Sequence, residues 1–251
     1  MALIDNIAAY FKLDELSGTD TVDSVASVHG TLIGASSFNV AGKINGCIHG
    51  ADTNSRVDLG SKFIPSVSDF SVSFWVLVSN LTDYWPYIFS QGSFEIQVVS
   101  TAGGLPSGLV SVYVNTTLHL VVVGVTFKDS LVHCVVTKTG NSYGVYVNGV
   151  WYAIANHPFN NPQTSNSYLG RFGSSESLND VYVDEIGIWK RALSQGEVDE
   201  LYNSGNGLSY PFSAPAGGPV NLKSYNTNLK ANIKTINTNS LSNVKSIDTN
   251  I

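Results

Sequence analysis

The stretch from Tyr182 to Gly205, YVDEIGIWKRALSQGEVDELYNSG, constrains this chain more than any other. Val183, Ile186, Ile188 and Trp189 are β-branched or aromatic, the types that suit a pleated, buried surface. Ser194 with Glu197 three residues later makes a capping box, and Val198, Leu201 and Tyr202 then share one helical face. Gly205 supplies a left-handed stop. A strand that passes into one short helix, after a long run of strand-like segments, restricts the fold to an all-β body closed by a single C-terminal helix.

The upstream segments agree. FSVSFWVLV (Phe70 to Val78) alternates serine with apolar residues, as a central strand with one face partly exposed does. Asn148-Gly149 between SYGVYV and VWYAI is a strong hairpin signal. More than ten short strands, with turns every 8–12 residues, imply a two-sheet antiparallel sandwich. At 251 residues, 43% hydrophobic and only 13% charged, the chain fits one large all-β domain. It has no apolar run long enough to cross a membrane as a helix. Cys47 and Cys134 lie in apolar strand contexts and read as buried, unpaired thiols. Trp75 and Trp189 sit within strand patterns and are expected in the core. The start, MALIDNIAAYFKLDE, reads as a first strand rather than a secretion signal.

Pro211 to Pro219 divides the chain. The expected organisation is a domain over 1–210, a linker over 211–220 and a tail over 221–251. The tail repeats N-[LIV]-K-[ST]-[YI]-[ND]-T-N from Asn221, Asn232 and Asn243, a period of eleven. A right-handed helical supercoil and extended segments broken by Asn-Thr-Asn turns both fit that period. The scarcity of good helix formers favours the extended form. Residues 1–220 carry nine Lys/Arg against eighteen Asp/Glu, whereas the tail carries four Lys against Asp248 alone. An acidic body argues against nucleic acid as a partner, and a basic tail can dock on an acidic protein surface. The tail residues expected to anchor it are Leu222, Lys223 and Tyr225, then Ile233, Lys234 and Ile236, then Val244, Lys245 and Ile247.

Several landmarks occur in a fixed order. They are AYFKLDELSG (Ala9 to Gly18), DS…HGTLIG (Asp23 to Gly34), GKINGCIHG (Gly42 to Gly50), FSVSFWV, HCVVTKTGNSYGVYVNG (His133 to Gly149) and YLGR with VDEIGIWKRALSQGEVDELY. In this set residues 1–208 resemble the laminin-G-like, concanavalin-like jelly-roll family. Two departures stand out: Leu131-Val132-His133 replaces the family's Trp-His pair, and the first loop holds fewer glycines. The tail resembles repeats at the C-terminal ends of bacteriophage structural and tail proteins.

The resemblance implies a jelly-roll sandwich, with a structural calcium between Asp184 of the closing strand and first-loop donors Asp14, Glu15 and Asp23. Calcium takes six to eight oxygens, several from carboxylates. Aromatic side chains at loops, Tyr84, Trp85, Tyr87 and Trp151, suit stacking on sugars; capping of the sandwich ends is their competing role. Catalysis is not expected. Glu95 stands alone in its strand, Asp184 and Glu185 would alternate to opposite faces, and no histidine has a visible nucleophile partner. The expected function is non-enzymatic: a virion structural protein, as a capsid decoration or tail-fibre component, tethered by its repeats to other virion proteins and present in many copies or as a homo-oligomer. Its lectin-like domain would adhere to cell-surface or environmental glycans. A bacterial cell-surface or secreted carbohydrate-binding module is the alternative.

Overall fold

The computed structural model describes residues 1–79, 86–99, 108–115, 117–128, 130–160, 165–172, 175–176 and 178–212, with backbone alone at 99, 172, 175 and 176. The first part of the chain forms β1 (Ile7–Phe11), β2 (Asp20–Val22), β3 (His29–Ile33), β4 (Ser36–Ala41), β5 (Gly46–Gly50) and β6 (Arg56–Asp58). Then follow β7 (Phe70–Val78), β8 (Tyr87–Gln91), β9 (Phe94–Val99), β10 (Leu109–Val114), β11 (Thr117–Val122) and β12 (Val132–Thr139). The last are β13 (Ser142–Val147), β14 (Val150–Asn156), β15 (Tyr168–Leu169), β16 (Arg171–Phe172), β17 (Ser175–Glu176), β18 (Val181–Trp189) and the helix α1 (Gln195–Tyr202). The fold is an antiparallel sandwich of two sheets with one short helix. Sheet 1 runs β14-β13-β12-β7-β18-β5-β4, with β1 also paired to β18. Sheet 2 runs β11-β10-β9-β8-β15-β6-β3-β2.

Alternation builds the core. Phe70, Val72, Phe74 and Val76 of β7 point between the sheets, toward Phe94, Ile96 and Val98 of β9. Burial of each such side chain contributes about 1.5–3 kcal/mol. The opposite face of β7 is not partly exposed, as its serines suggest, but buried. Leu3, Val135, Tyr146, Trp189, Leu193, Val198 and Leu201 form a second apolar layer there, between sheet 1 and α1. The serines persist because they hydrogen-bond: Ser71 Oγ reaches Thr137 Oγ1 and the Arg191 carbonyl, each at 3.0 Å, and accepts the Leu193 N–H. Trp189 is fully buried in this layer, its Nε1–H donating to the Leu3 carbonyl at 2.7 Å. Trp75 is buried beside His133 and Tyr202. Both cysteines are free and buried.

Asn148 (φ 48°) and Gly149 (φ 81°) make the turn between β13 and β14. Helix α1 has its capping box: the Ser194 N–H and hydroxyl both donate to Glu197 Oε2, at 2.9 and 2.8 Å. Its left-handed stop is Asn203 (φ 48°) rather than Gly205, because asparagine also tolerates that conformation. The linker from 213 onward and the whole tail, with its nine expected anchoring residues, lie outside the described residues.

Candidate functional site

Sheet 2 presents one face to the core and one outward. Residues opposite each other in an antiparallel pair share a face. The register therefore places Asp58, Tyr168, Ser90, Glu95, Tyr113 and Leu118 in one outward row across six strands. The next row holds Tyr87, Gln97, Ser111 and Leu120. Tyr87 reaches this face through a β-bulge: Ile88 and Phe89 both turn into the core, and the register shifts between Tyr87 and Phe89.

The centre of this face is a polar floor. Ser90, Glu95, Gln97 and Ser111 are buried, although they point away from the core. Ser111 Oγ donates to Gln97 Oε1 at 2.9 Å, and Ser90 Oγ donates to the Arg171 carbonyl. Burial pushes the Glu95 carboxyl up to about 7, so near neutrality it can donate a hydrogen bond as well as accept one. Three half-buried tyrosines, Tyr87, Tyr113 and Tyr168, flank the floor. The Arg171 guanidinium lies 4.7 Å from the Tyr168 ring centre. Asp58 Oδ1 accepts the Asn166 amide at 3.0 Å and the Gly60 N–H at 2.8 Å. Aromatic rims around convergent donors and acceptors are what polar small-molecule sites are made of.

Of the aromatics singled out in the sequence, Tyr84 and Trp85 lie outside the described residues. Tyr87 is on the outer face of sheet 2. Trp151 is 45% exposed but lies on the outer face of sheet 1, 4.7 Å from the Tyr146 ring and over Gly144. Tyr87 and Trp151 are thus on opposite sides of the sandwich and do not meet. Tyr113, Tyr168 and the Ser90–Glu95 floor were missed. Alternation within FEIQVV and LVSVYV does place Glu95 with Gln97, and Ser111 with Tyr113, on common faces. The register that joins them across strands leaves no such mark.

The four carboxylates expected around calcium separate into local roles. Asp184 Oδ2 accepts the N–H groups of Lys43 and Ile44, at 2.6 and 3.1 Å. Asp14 accepts the Gly46 N–H at 2.9 Å and the Asn45 amide at 3.1 Å. Together they grip the turn between β4 and β5 from two sides. Asp23 instead accepts the N–H groups of Tyr10, Val25 and Ala26, and Glu15 binds the Thr21 hydroxyl and the Val22 N–H. Among the described residues no group of three or more His, Cys, Asp or Glu side chains is placed to hold a metal ion. Each of the four accepts at least one N–H or hydroxyl hydrogen bond, while Glu15 Oε2 and Asp184 Oδ1 remain without a partner.

Asp184 and Glu185 do not alternate. The register with β7 shifts between Asp184 and Gly187, and Glu185 takes φ 53°. The bulge leaves both carboxyls buried, with Asp184 Oδ1 and both Glu185 oxygens unpartnered. Tyr10 and Ser209 lie close to Glu185, but their hydroxyls donate to the Leu208 and Tyr210 carbonyls. Burial above all, with the nearby Asp14 carboxylate and, for Asp184, Glu185, pushes Asp184 up to about 8 and Glu185 up to about 7. These oxygens are suited to holding protons.

Comparison with known proteins follows the same lines. A family profile described as the concanavalin A-like lectin/glucanases superfamily matches residues 50–199. A comparison with curated protein sequences gives no match. Domain 4 of AbnA, a GH43 extracellular arabinanase from Geobacillus stearothermophilus solved with arabinotriose, superposes with a TM-score of 0.61 at 18% identity, over 81% of this chain and 98% of that domain. The ligand-binding domain of botulinum neurotoxin serotype D, solved with N-acetylneuraminic acid, gives 0.60 at 10% identity, over 79% of this chain and 51% of that one. The binding domain of Paraclostridial Mosquitocidal Protein 1 gives 0.57 at 18%, over 80% and 52%. The chain thus spans about half the length of the two toxin binding domains. With the profile covering more than half of the sequence, the chain belongs to the concanavalin A-like lectin/glucanases superfamily.

Proposed function

We propose that the chain is a non-catalytic carbohydrate-binding protein whose sugar seats on the outer face of sheet 2. The observation that carries this is the polar floor of Ser90, Glu95, Gln97 and Ser111 flanked by Tyr87, Tyr113 and Tyr168. Tyr168 and Tyr113 stand three strands apart, about 14 Å at the backbone, so an oligosaccharide can lie between them with a ring at each end. The arabinotriose on the arabinanase domain and the N-acetylneuraminic acid on the toxin domain support carbohydrate as the ligand class.

Binding without cleavage is favoured by the acids on that face. Asp58 and Glu95 are also three strands apart, about 14 Å at the backbone. Paired glycosidase carboxyls stand about 5–9.5 Å apart.

The finer reading is a virion component, tethered to neighbouring subunits by its tail. Its support is the eleven-residue repeat from Asn221, Asn232 and Asn243 and the tail's opposite charge to the acidic body. A secreted bacterial module is the second reading, favoured by the extracellular arabinanase whose domain 4 shares the fold. Truncation after Pro219 separates the two: loss from purified particles with the domain still folded supports the tether, and unchanged incorporation refutes it.

The sugar site is tested on a glycan array. The wild-type chain is expected to bind a defined set of glycans, and Tyr113→Ala to weaken that binding at least ten-fold, about 1.4 kcal/mol, at an unchanged melting temperature. No binding by the wild type, or full binding by the variant, would overturn the assignment.

A further inference from the structure

Ten large apolar side chains are exposed among the described residues, and five of them, Leu118, Leu120, Val122, Val150 and Trp151, sit on β11 and β14. These are the terminal strands of sheets 2 and 1, and they lie side by side: the Tyr152 hydroxyl of β14 donates to the Val123 carbonyl just beyond β11 at 2.9 Å. Exposed apolar residues scattered singly need no explanation, but a cluster on one flank does.

β11 also has the main-chain pattern of an open edge. β10 ends at Val114 and β11 begins at Thr117, the spacing of a two-residue hairpin, so Val114 and Thr117 form a hydrogen-bonded pair. Counting along the ladder, Thr117, His119 and Val121 direct their N–H and C=O groups to β10. The bond from the Val123 N–H to the Gly108 carbonyl, 2.7 Å, continues that parity. Leu118, Leu120 and Val122 therefore direct theirs to the open side, and these same residues are 39%, 42% and 52% exposed.

We infer that β11 pairs with β11 of a second copy of this chain, antiparallel, about a two-fold axis through Leu120. That register is self-complementary. Leu120 faces Leu120 of the second copy and Leu118 faces Val122, so each of the three exposed apolar side chains of β11 meets another on the same face of the sheet. Each of these pairs also exchanges both main-chain hydrogen bonds. Shifting by one residue would set outward side chains against inward ones.

Charge points to the same occupant. The sequences of β11, TLHLVV, and β14, VWYAIAN, contain no Asp, Glu, Lys or Arg. Natural edge strands are usually guarded by charge, proline or a bulge, and among the described residues β11 pairs with β10 without a register shift. In a chain of net charge −6, a second copy is repelled from acidic surfaces but not from this flank.

Sedimentation of the full chain tests the inference. The wild type is expected to form a dimer that dissociates on dilution, and Leu120→Lys to sediment as a monomer with unchanged circular dichroism. A wild type that stays monomeric up to its solubility limit, or a Leu120→Lys protein that dimerises as the wild type does, would overturn it. A cysteine variant guards against misfolding of the lysine variant. Residues of a hydrogen-bonded pair lie about 5.5 Å apart at Cα, within disulfide reach. Leu120→Cys is therefore expected to cross-link into a covalent dimer under mild oxidation. Val22→Cys, at a 41% exposed site on the opposite edge of sheet 2, is expected not to. Equal cross-linking at both positions contradicts the proposed axis.

Discussion

Replacing Arg191 by alanine is expected to destabilise the fold by about 3–5 kcal/mol, the cost of breaking a buried ion pair from one side, read as a fall in the urea midpoint. Arg191 is 7% exposed, and its guanidinium forks onto Glu197, with Nη2 to Oε1 at 2.6 Å and Nη1 to Oε2 at 2.9 Å. Two further donors tie down the chain start: Nη2 reaches the Ala2 carbonyl at 2.7 Å and Nε the Asp5 carbonyl at 2.8 Å. Glu197 in turn caps α1 through Ser194, so one side chain joins the N-terminus, the end of β18 and the helix. Burial alone would raise the Glu197 carboxyl, but hydrogen bonds from Arg191 and Ser194 outweigh it and hold it below its ordinary value. Arg191→Lys keeps the charge but not the fork and should recover only part of the loss. An Arg191→Met, Glu197→Leu double variant should be more stable than Arg191→Ala, because it leaves no buried charge alone.

Stability is expected to fall as pH rises through the neutral range, and Asp184→Asn to remove much of that fall. Asp184, up to about 8, and Glu185, up to about 7, both titrate above their ordinary values of 3.8 and 4.5. The folded state therefore holds protons that the unfolded chain has released. By linkage, the contribution is fully present below about pH 4 and is lost as pH climbs through the folded values. Each group changes stability by about 1.4 kcal/mol per pH unit within its window. The Asp14 carboxylate raises both acids and Glu185 raises Asp184, while Lys12 pulls Glu185 down. Melting temperatures from pH 5 to 9, compared with Asp184→Asn at equal ionic strength, measure the slope. Asparagine keeps an oxygen for the Lys43 and Ile44 N–H groups. The variant should match the wild type at low pH and exceed it above neutrality. A gap between Asp184→Asn and the wild type that does not widen with pH would show Asp184 to be ionised in the fold.

What the sequence shows of this fold is what is local. Alternation in FSVSFWVLV located β7, and Asn148-Gly149 located the β13–β14 hairpin, because both are written in neighbouring residues. The buried state of Ser71 and Ser73 was not legible. It depends on α1 and the N-terminus folding back over sheet 1, from more than a hundred residues away in the case of Arg191 and Leu193. The bulge at Glu185 was hidden for a related reason. A residue at φ 53° in mid-strand is held there by pairing with β7 and β1, not by its own preference. The sugar face shows the same limit. Asp58, Glu95, Tyr113 and Tyr168 come from four separate segments, and only register gathers them into one row. Tyr87, singled out as a loop aromatic, belongs to the neighbouring row of the same face, while Trp151 faces the other way.

The most direct test of the central assignment is hydrogen–deuterium exchange of the full chain, with and without the oligosaccharide that binds best on the array. Slowed exchange in β8, β9, β10 and β15, abolished by Tyr113→Ala, is the expected result. Protection confined to β13, β14 and α1, around Trp151 on the opposite face, would contradict it.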